Sequence, residues 1–196
     1  MSLIVALKYK GKIYMGSDSL AIKDDTKYYL INANNRRIFP VKGCSNMLMA
    51  LSGRLIESNI ARCLELVPEV VALNGKVDFE FMVTEFVPKL FDAFNNRNLL
   101  NTHDDGYYCD SDMIVAYKNQ MFEIFSDGTV LECDDYAVIG CGGDEVLGSL
   151  MSTNNIDDPK KRIVLALKAG LRDNNRVAYP IIVTDTETCE FEVICE

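Results

Sequence analysis

Short apolar runs, broken at close intervals by turn residues and gathered into groups, constrain this chain more than any other feature. Residues 3–8 and 12–16 are β-rich and flank Lys10-Gly11, a two-residue hairpin signal. Residues 37–41 and 46–51 flank Lys42-Gly43 in the same way. Further runs cover 113–117 and 121–126, joined by Lys118-Asn119-Gln120, then 129–132 after Asp127-Gly128, 136–139, 179–184 and 190–194. Between these groups the apolar period changes to that of a helix. Residues 53 to about 70 carry Leu55, Ile56, Ile60, Cys63, Leu64 and Val67 at helical spacing. A second helix starts at Asp78, a suitable N-cap, and presents Phe79, Met82, Phe86, Leu90 and Phe94, with a kink expected at Pro88. A third runs from about 144 to 152. A fourth opens on Asp158-Pro159, an N-cap followed by proline at the first helical position, and stops near Asp173. Residues 17–26 form a polar stretch, and the polar, Asn-rich residues 95–106 read as the longest loop.

The order is four strands, two helices, three or four strands, two helices and two strands. Amphipathic helix pairs alternating with strand groups imply an α+β sandwich, two sheets face to face with helices outside. A chain of 196 residues, 48% apolar, can bury such a core as a single domain spanning 1–196. The apolar runs are far too short to cross a membrane. The start of the chain has no basic leader or small-residue cleavage site and reads as a strand.

Charge and cysteine usage narrow the function. With 29 acidic against 20 basic residues the net charge is −9, and no basic stripe is available to neutralise nucleic-acid phosphates. The seven cysteines include no C-x-x-C pair, so neither a zinc knuckle nor a redox pair is indicated. They read as small buried hydrophobes in a reducing compartment, which points to the cytoplasm. His103, the only histidine, lies in the polar stretch beside Asp104 and Asp105, where a solvated ring is the default and no nucleophile is oriented for a triad. No cofactor is implied. Gly140-Cys141-Gly142-Gly143, between a strand and a helix, reads either as a phosphate cradle or as a tight turn allowing close approach. It lacks the Lys-Ser/Thr of a P-loop and the spacing of a dinucleotide fingerprint.

An ordered series of landmarks carries a resemblance. Ser2-Leu3-Ile4-Val5-Ala6-Leu7, Gly11-Lys12-Ile13 and Met15-Gly16-Ser17-Asp18-Ser19 resemble the N-terminal region of proteasome β-type subunits, and look most like the bacterial HslV-type peptidase. The likeness continues at Asn35-Arg36-Arg37-Ile38, at Leu51-Ser52-Gly53, at Gly140-Cys141-Gly142-Gly143 (G-S-G-G in the family) and at Arg172-Asp173. It implies a four-layer αββα sandwich of the N-terminal-nucleophile (Ntn) hydrolase kind. It also implies a homo-oligomeric ring that hydrolyses peptides or unfolded proteins, with an ATP-dependent unfoldase as a possible partner. The extra N-terminal helix of α-type subunits is missing, so the chain is β-like.

The mechanism carried by that resemblance uses a hydroxyl at the very N-terminus, whose own α-amine serves as general base because its pKa lies near neutrality. Carried across, Ser2 is nucleophile and base, Arg37 is the cation that keeps the amine unprotonated, and Asp18 is the partner of that cation. Gly53 supplies the oxyanion N–H, and Cys141 and Asp173 support the amine end. Three positions depart from the family: Ser2 replaces threonine, Arg37 replaces lysine and Cys141 replaces serine. Met1 precedes Ser2, and while it is attached the amine is a peptide nitrogen and the mechanism cannot run. Plainer readings stand beside each role: Ser2 as a strand end, Asp18 with Arg37 as a structural bridge, Gly53 as a helix start, Cys141 as packing, Asp173 as a polar helix end. The alternatives for the whole chain are a catalytically silent ring-forming or scaffold member of the fold, and an Ntn amidase of small molecules. Leu51 and Leu55, near Gly53, would favour apolar substrate side chains.

Overall fold

The computed structural model describes residues 2–44, 46–68, 71, 77–103, 106–172 and 174–196. Its backbone is organised by two stacked sheets whose inner strands are covered on both faces. β1 (Leu3–Tyr9) and β2 (Lys12–Ser17) form the first hairpin, closed by Lys10 and Gly11 with φ of 49° and 80°. The pair satisfies the positive-φ requirement of a two-residue turn. β3 (Leu20–Lys23) and β4 (Thr26–Tyr29) form a second, small hairpin, followed by β5 (Ile38–Pro40), β6 (Met47–Ser52) and helix α1 (Leu55–Cys63). Helix α2 (Phe79–Phe81) passes through a π-helical segment, Met82–Phe86, into α3 (Val87–Asn95). Strands β7 (Asn101–His103), β8 (Gly106–Tyr108), β9 (Asp112–Tyr117), β10 (Gln120–Ile124), β11 (Val130–Glu132) and β12 (Tyr136–Gly140) lead to α4 (Gly143–Ser152) and α5 (Pro159–Leu171). β13 (Ile181–Asp185) and β14 (Glu192–Ile194) complete the series.

The strands assemble into two antiparallel five-stranded sheets, β12-β1-β2-β13-β14 and β11-β10-β9-β6-β5. Alternation along each strand then generates four layers. Ile4, Ala6, Ile13 and Met15 of the first sheet meet Ile38, Leu48, Ala50 and Ile114 of the second in the central core. The opposite side chains, Leu3, Val5, Leu7, Ile181 and Val183, pack under Val146, Ile163 and Leu167 of α4 and α5. Met47, Met49, Leu51 and Val115 of the second sheet pack under Ala61, Phe86, Leu90 and Phe94 of the remaining helices. Burial on both faces explains why the inner strands read as unbroken apolar runs instead of alternating ones. The α+β sandwich is thus a four-layer αββα arrangement.

Several expectations are corrected. The helix expected to reach about residue 70 ends at Cys63, because Leu64 turns extended (φ −83°, ψ 138°) and Leu66 and Val67 enter the core as irregular chain ahead of Pro68. Its buried face is Glu57, Ser58 and Ala61, whereas Leu55 and Ile56 of the expected apolar stripe are 40% and 42% exposed. The helical run expected to kink at Pro88 passes through a π-helical segment, Met82–Phe86, just ahead of it. The turn there widens, with the Val87 N–H donating to the Met82 carbonyl five residues back, which relieves the clash a proline ring makes with an α-helical turn. The polar stretch after β2 and the expected loop both hold parts of hairpins. β3–β4 turns through Asp24 and Asp25, both at positive φ, a conformation aspartate tolerates. β7–β8 arises within and just beyond the second stretch. The cysteines are all free, but only Cys44 and Cys109 are buried, and burial pushes the Cys109 thiol up to about 12. No helix among the described residues is long and apolar enough to cross a membrane.

Candidate active site at one end of the sandwich

The antiparallel pairings bring the start of β1, the end of β2, the start of β5 and the end of β6 to the same end of the molecule. Ser2 immediately precedes β1 and is fully buried. Its carbonyl accepts the Cys141 N–H at 2.8 Å. The chain can fold this closely around Ser2 because Gly140, paired with Leu3, adopts φ +96° and has no side chain: a Cβ there would lie 1.9 Å from the Ser2 carbonyl oxygen. The Ser2 hydroxyl has no hydrogen-bond partner among the described residues.

Asp18 follows β2 and knots this end together. Its N–H donates to the Leu3 carbonyl at 3.1 Å, while its Oδ1 accepts the Leu3 N–H and its Oδ2 the Leu20 N–H, both at 2.9 Å. Arg37, one residue before β5, places its Nε 3.3 Å from Asp18 Oδ1 and donates from Nη2 to the Leu20 carbonyl. Both side chains are buried. Burial pushes the Asp18 carboxyl above its ordinary value, and the Arg37 charge and the N–H groups of Leu3, Leu20 and Ala178 pull it back. Burial lowers Arg37 in turn, opposed by Asp18 and by Cys141.

Gly53 joins β6 to α1. A Cβ at this position would lie 2.1 Å from the Asp110 carbonyl oxygen, so only glycine fits. Ser52, beside it, reaches across to the first sheet, its Oγ 2.8 Å from where a Gly140 Cβ would stand. Gly53 and Arg37 both line an open cleft of ≈ 860 Å³, bounded by Ala21, Ile22 and Lys23 of β3 and by Leu55 and Ile56 of α1. Leu51 is not part of it and packs in the helix-side core. The structure therefore brings Ser2, Asp18, Arg37, Gly53 and Cys141 together, and Asp173 lies outside the described residues. Sequence reasoning missed the β3–β4 wall, Ser52, and the buried pair Glu57 and Ser111. A carboxylate four residues before Ala61, next to Ser58 on the same face, was the one available signal for Glu57. No cluster of three or more metal-ligating side chains occurs among the described residues.

No protein-family model matches the chain, and no curated protein matches it. Solved structures do. BPH of Thiobacillus denitrificans in complex with epoxomicin superimposes with a TM-score of 0.73 at 18% identity, covering 93% of this chain and 97% of that one. A second structure of the same BPH gives 0.73 and 18%, covering 93% and 96%. Anbu, described as an ancestral β-subunit, from Yersinia bercovieri gives 0.72 at 17% identity, covering 99% and 87%. The fold is that of the proteasome β-type and HslV-like Ntn hydrolases. In this fold Ser2 lies at the same end of the face-to-face sheets as Arg37 and Gly53, which line the cleft.

Proposed function

We propose that this chain is a peptidase subunit of the proteasome/HslV-like kind, which cleaves peptide bonds with the Ser2 hydroxyl once Met1 has been removed. The observation that carries the reading is one carboxylate oxygen. Asp18 Oδ1 accepts the Leu3 N–H at 2.9 Å and faces Arg37 Nε at 3.3 Å, tying a buried cation to the peptide unit next to Ser2. Beside that cation, a freed Ser2 amine is disfavoured in its charged form and is available as a base near neutral pH. The amine takes the hydroxyl proton as Ser2 Oγ attacks the substrate carbonyl, and the Gly53 N–H receives the oxyanion. The proton then passes to the departing amine, leaving an ester on Ser2 that water hydrolyses. Cys141 holds the Ser2 carbonyl through its N–H, and Asp173 is proposed to support the amine end. Substrate side chains lie in the cleft beside Leu55 and Ile56, favouring peptides or unfolded proteins with apolar residues. The subunit works as a homo-oligomeric ring in the cytoplasm, with an ATP-dependent unfoldase as candidate partner.

Protein expressed without added residues and shown by intact mass to begin at Ser2 is expected to turn over fluorogenic peptides, and Ser2→Ala to abolish turnover. Light scattering reports the ring. Inactive protein that begins at Ser2 sinks the proposal. The complete burial of Ser2 favours a second reading, a catalytically silent ring or scaffold subunit. In that case Ser2→Thr combined with Arg37→Lys is expected to awaken turnover if those departures alone silenced it.

A further inference from the structure

Glu57 stands in the first turn of α1 and is fully buried. Carboxylates are rarely enclosed unless their oxygens are engaged, and here both are. Oε2 accepts the Ser111 hydroxyl, and Oε1 accepts the Asp110 N–H at 3.2 Å. A serine hydroxyl has a single proton. Committed to Glu57, it leaves a lone pair of Ser111 Oγ facing α1, where the Arg54 N–H donates to it at 3.2 Å. The same Asp110-Ser111 segment forms the surface on which Gly53 rests, since a Cβ on Gly53 would lie 2.3 Å from Ser111 Oγ and 2.7 Å from Ser111 Cα. From outside, the Arg54 guanidinium pairs with the Asp110 carboxylate at 3.2 Å, to which Asn101 also donates at 3.0 Å. Burial pushes the Glu57 carboxyl above its ordinary value, and the Ser111 hydroxyl and the Asp110 N–H oppose that rise. An apolar side chain would fill this position at less desolvation cost. Only an acceptor can orient the Ser111 hydroxyl.

We propose that Glu57 is a positioning residue for the oxyanion donor, acting through Ser111 to hold the Gly53–Arg54 backbone at the mouth of the cleft. The inference rests on the reading above, in which the Gly53 N–H receives the oxyanion. Oxyanion stabilisation depends on donors fixed within a fraction of an ångström before the reaction begins, so a strut behind the donor acts on kcat rather than on substrate affinity.

Glu57→Gln and Ser111→Ala, each made in protein that begins at Ser2, test it in two ways. With a fluorogenic peptide, kcat is expected to fall by about tenfold or more in both variants while KM stays within about threefold. By hydrogen exchange, the amides of Gly53 and Arg54 are expected to exchange at least about tenfold faster in both, with Met47–Leu51 of β6 unchanged. Glu57→Gln is the decisive variant, because it keeps the side-chain shape but replaces one of the two acceptor oxygens by an NH2 donor, so it cannot accept both the Ser111 hydroxyl and the Asp110 N–H. Unchanged exchange at Gly53–Arg54 in Glu57→Gln overturns the proposal. So does acceleration that spreads equally through β6 and β9, or a rise in KM at constant kcat. An inactive wild type defeats the nucleophile reading alone, and exchange then decides the positioning role by itself.

Discussion

Asp18 shows how much a single side chain organises here. It bridges the first strand, the third and the residue ahead of the fifth, and it is the counter-charge of an enclosed guanidinium. Removing one member of a buried ion pair leaves the other desolvated and unpaired, so Asp18→Ala is expected to destabilise the fold by about 3–5 kcal/mol. Urea denaturation at constant m-value measures it. Adding Arg37→Met to Asp18→Ala should recover part of the loss. Asp185 sets a contrasting case at the end of β13, where Oδ1 accepts the N–H groups of Glu187 and Thr188 at 2.9 and 2.8 Å and Oδ2 the Thr188 hydroxyl at 3.0 Å. Burial alone raises its pKa, but these bonds together with the Lys160 charge outweigh burial and leave it below 3.8. The folded chain thus releases this proton more readily than the unfolded one. The stability Asp185 contributes is fully present above the unfolded value, near about 4, and is lost as pH falls through the lower folded value. Asp185→Asn is expected to cost about 1–2 kcal/mol at pH 6, and the gap between variant and wild type to narrow as pH falls through the lowered folded value in acid titrations of stability.

Among the elements, β2 packs closely under α5. Gly16 lies in β2 opposite Val5 and Val183, and a Cβ added to it would stand 2.3 Å from Ile163 Cγ2 and 2.9 Å from Leu167 Cδ1. A β-branched methyl on a helix has little rotamer freedom to yield. Gly16→Ala is therefore expected to cost about 1–3 kcal/mol by overpacking. Ile163→Ala in the wild type opens a cavity, whereas in the Gly16→Ala background it relieves a clash. The double-mutant cycle, followed by thermal or urea unfolding, should show favourable coupling of about 1 kcal/mol or more. Helix α5 also illustrates what local sequence can specify: Asp158 caps it by accepting the Lys161 N–H at 3.0 Å, and Pro159 occupies the first turn, as the Asp-Pro pair implies. Helix α1 illustrates the reverse. Its stripe of Leu55 and Ile56 turns toward the cleft, because Glu57 is drawn inward by partners some fifty residues later, |i−j| being 53 and 54.

At the scale of the molecule, three apolar layers hold the sandwich together, and the central one joins the two sheets directly. Leu48→Ala, at its middle, is expected to cost about 2–5 kcal/mol in urea denaturation. Leu131→Ala on the edge strand β11, 45% exposed, is expected to stay within about 0.5 kcal/mol. The sequence by itself determined what depends on a few neighbouring residues. Strand runs show through their apolar continuity, the first hairpin through the left-handed Lys10 and Gly11, and the α5 start through its cap. The ordered landmarks also made the sandwich architecture and the Ser2, Asp18 and Arg37 positions legible. Only the tertiary structure decided the rest: that β13 docks beside β2, that polar stretches close into the β3–β4 and β7–β8 hairpins, and that Glu57 and Ser111 meet behind Gly53. Those outcomes follow from contacts between segments far apart in the chain, where the free energy of burying and pairing groups outweighs local preference and leaves no mark in any short window of residues.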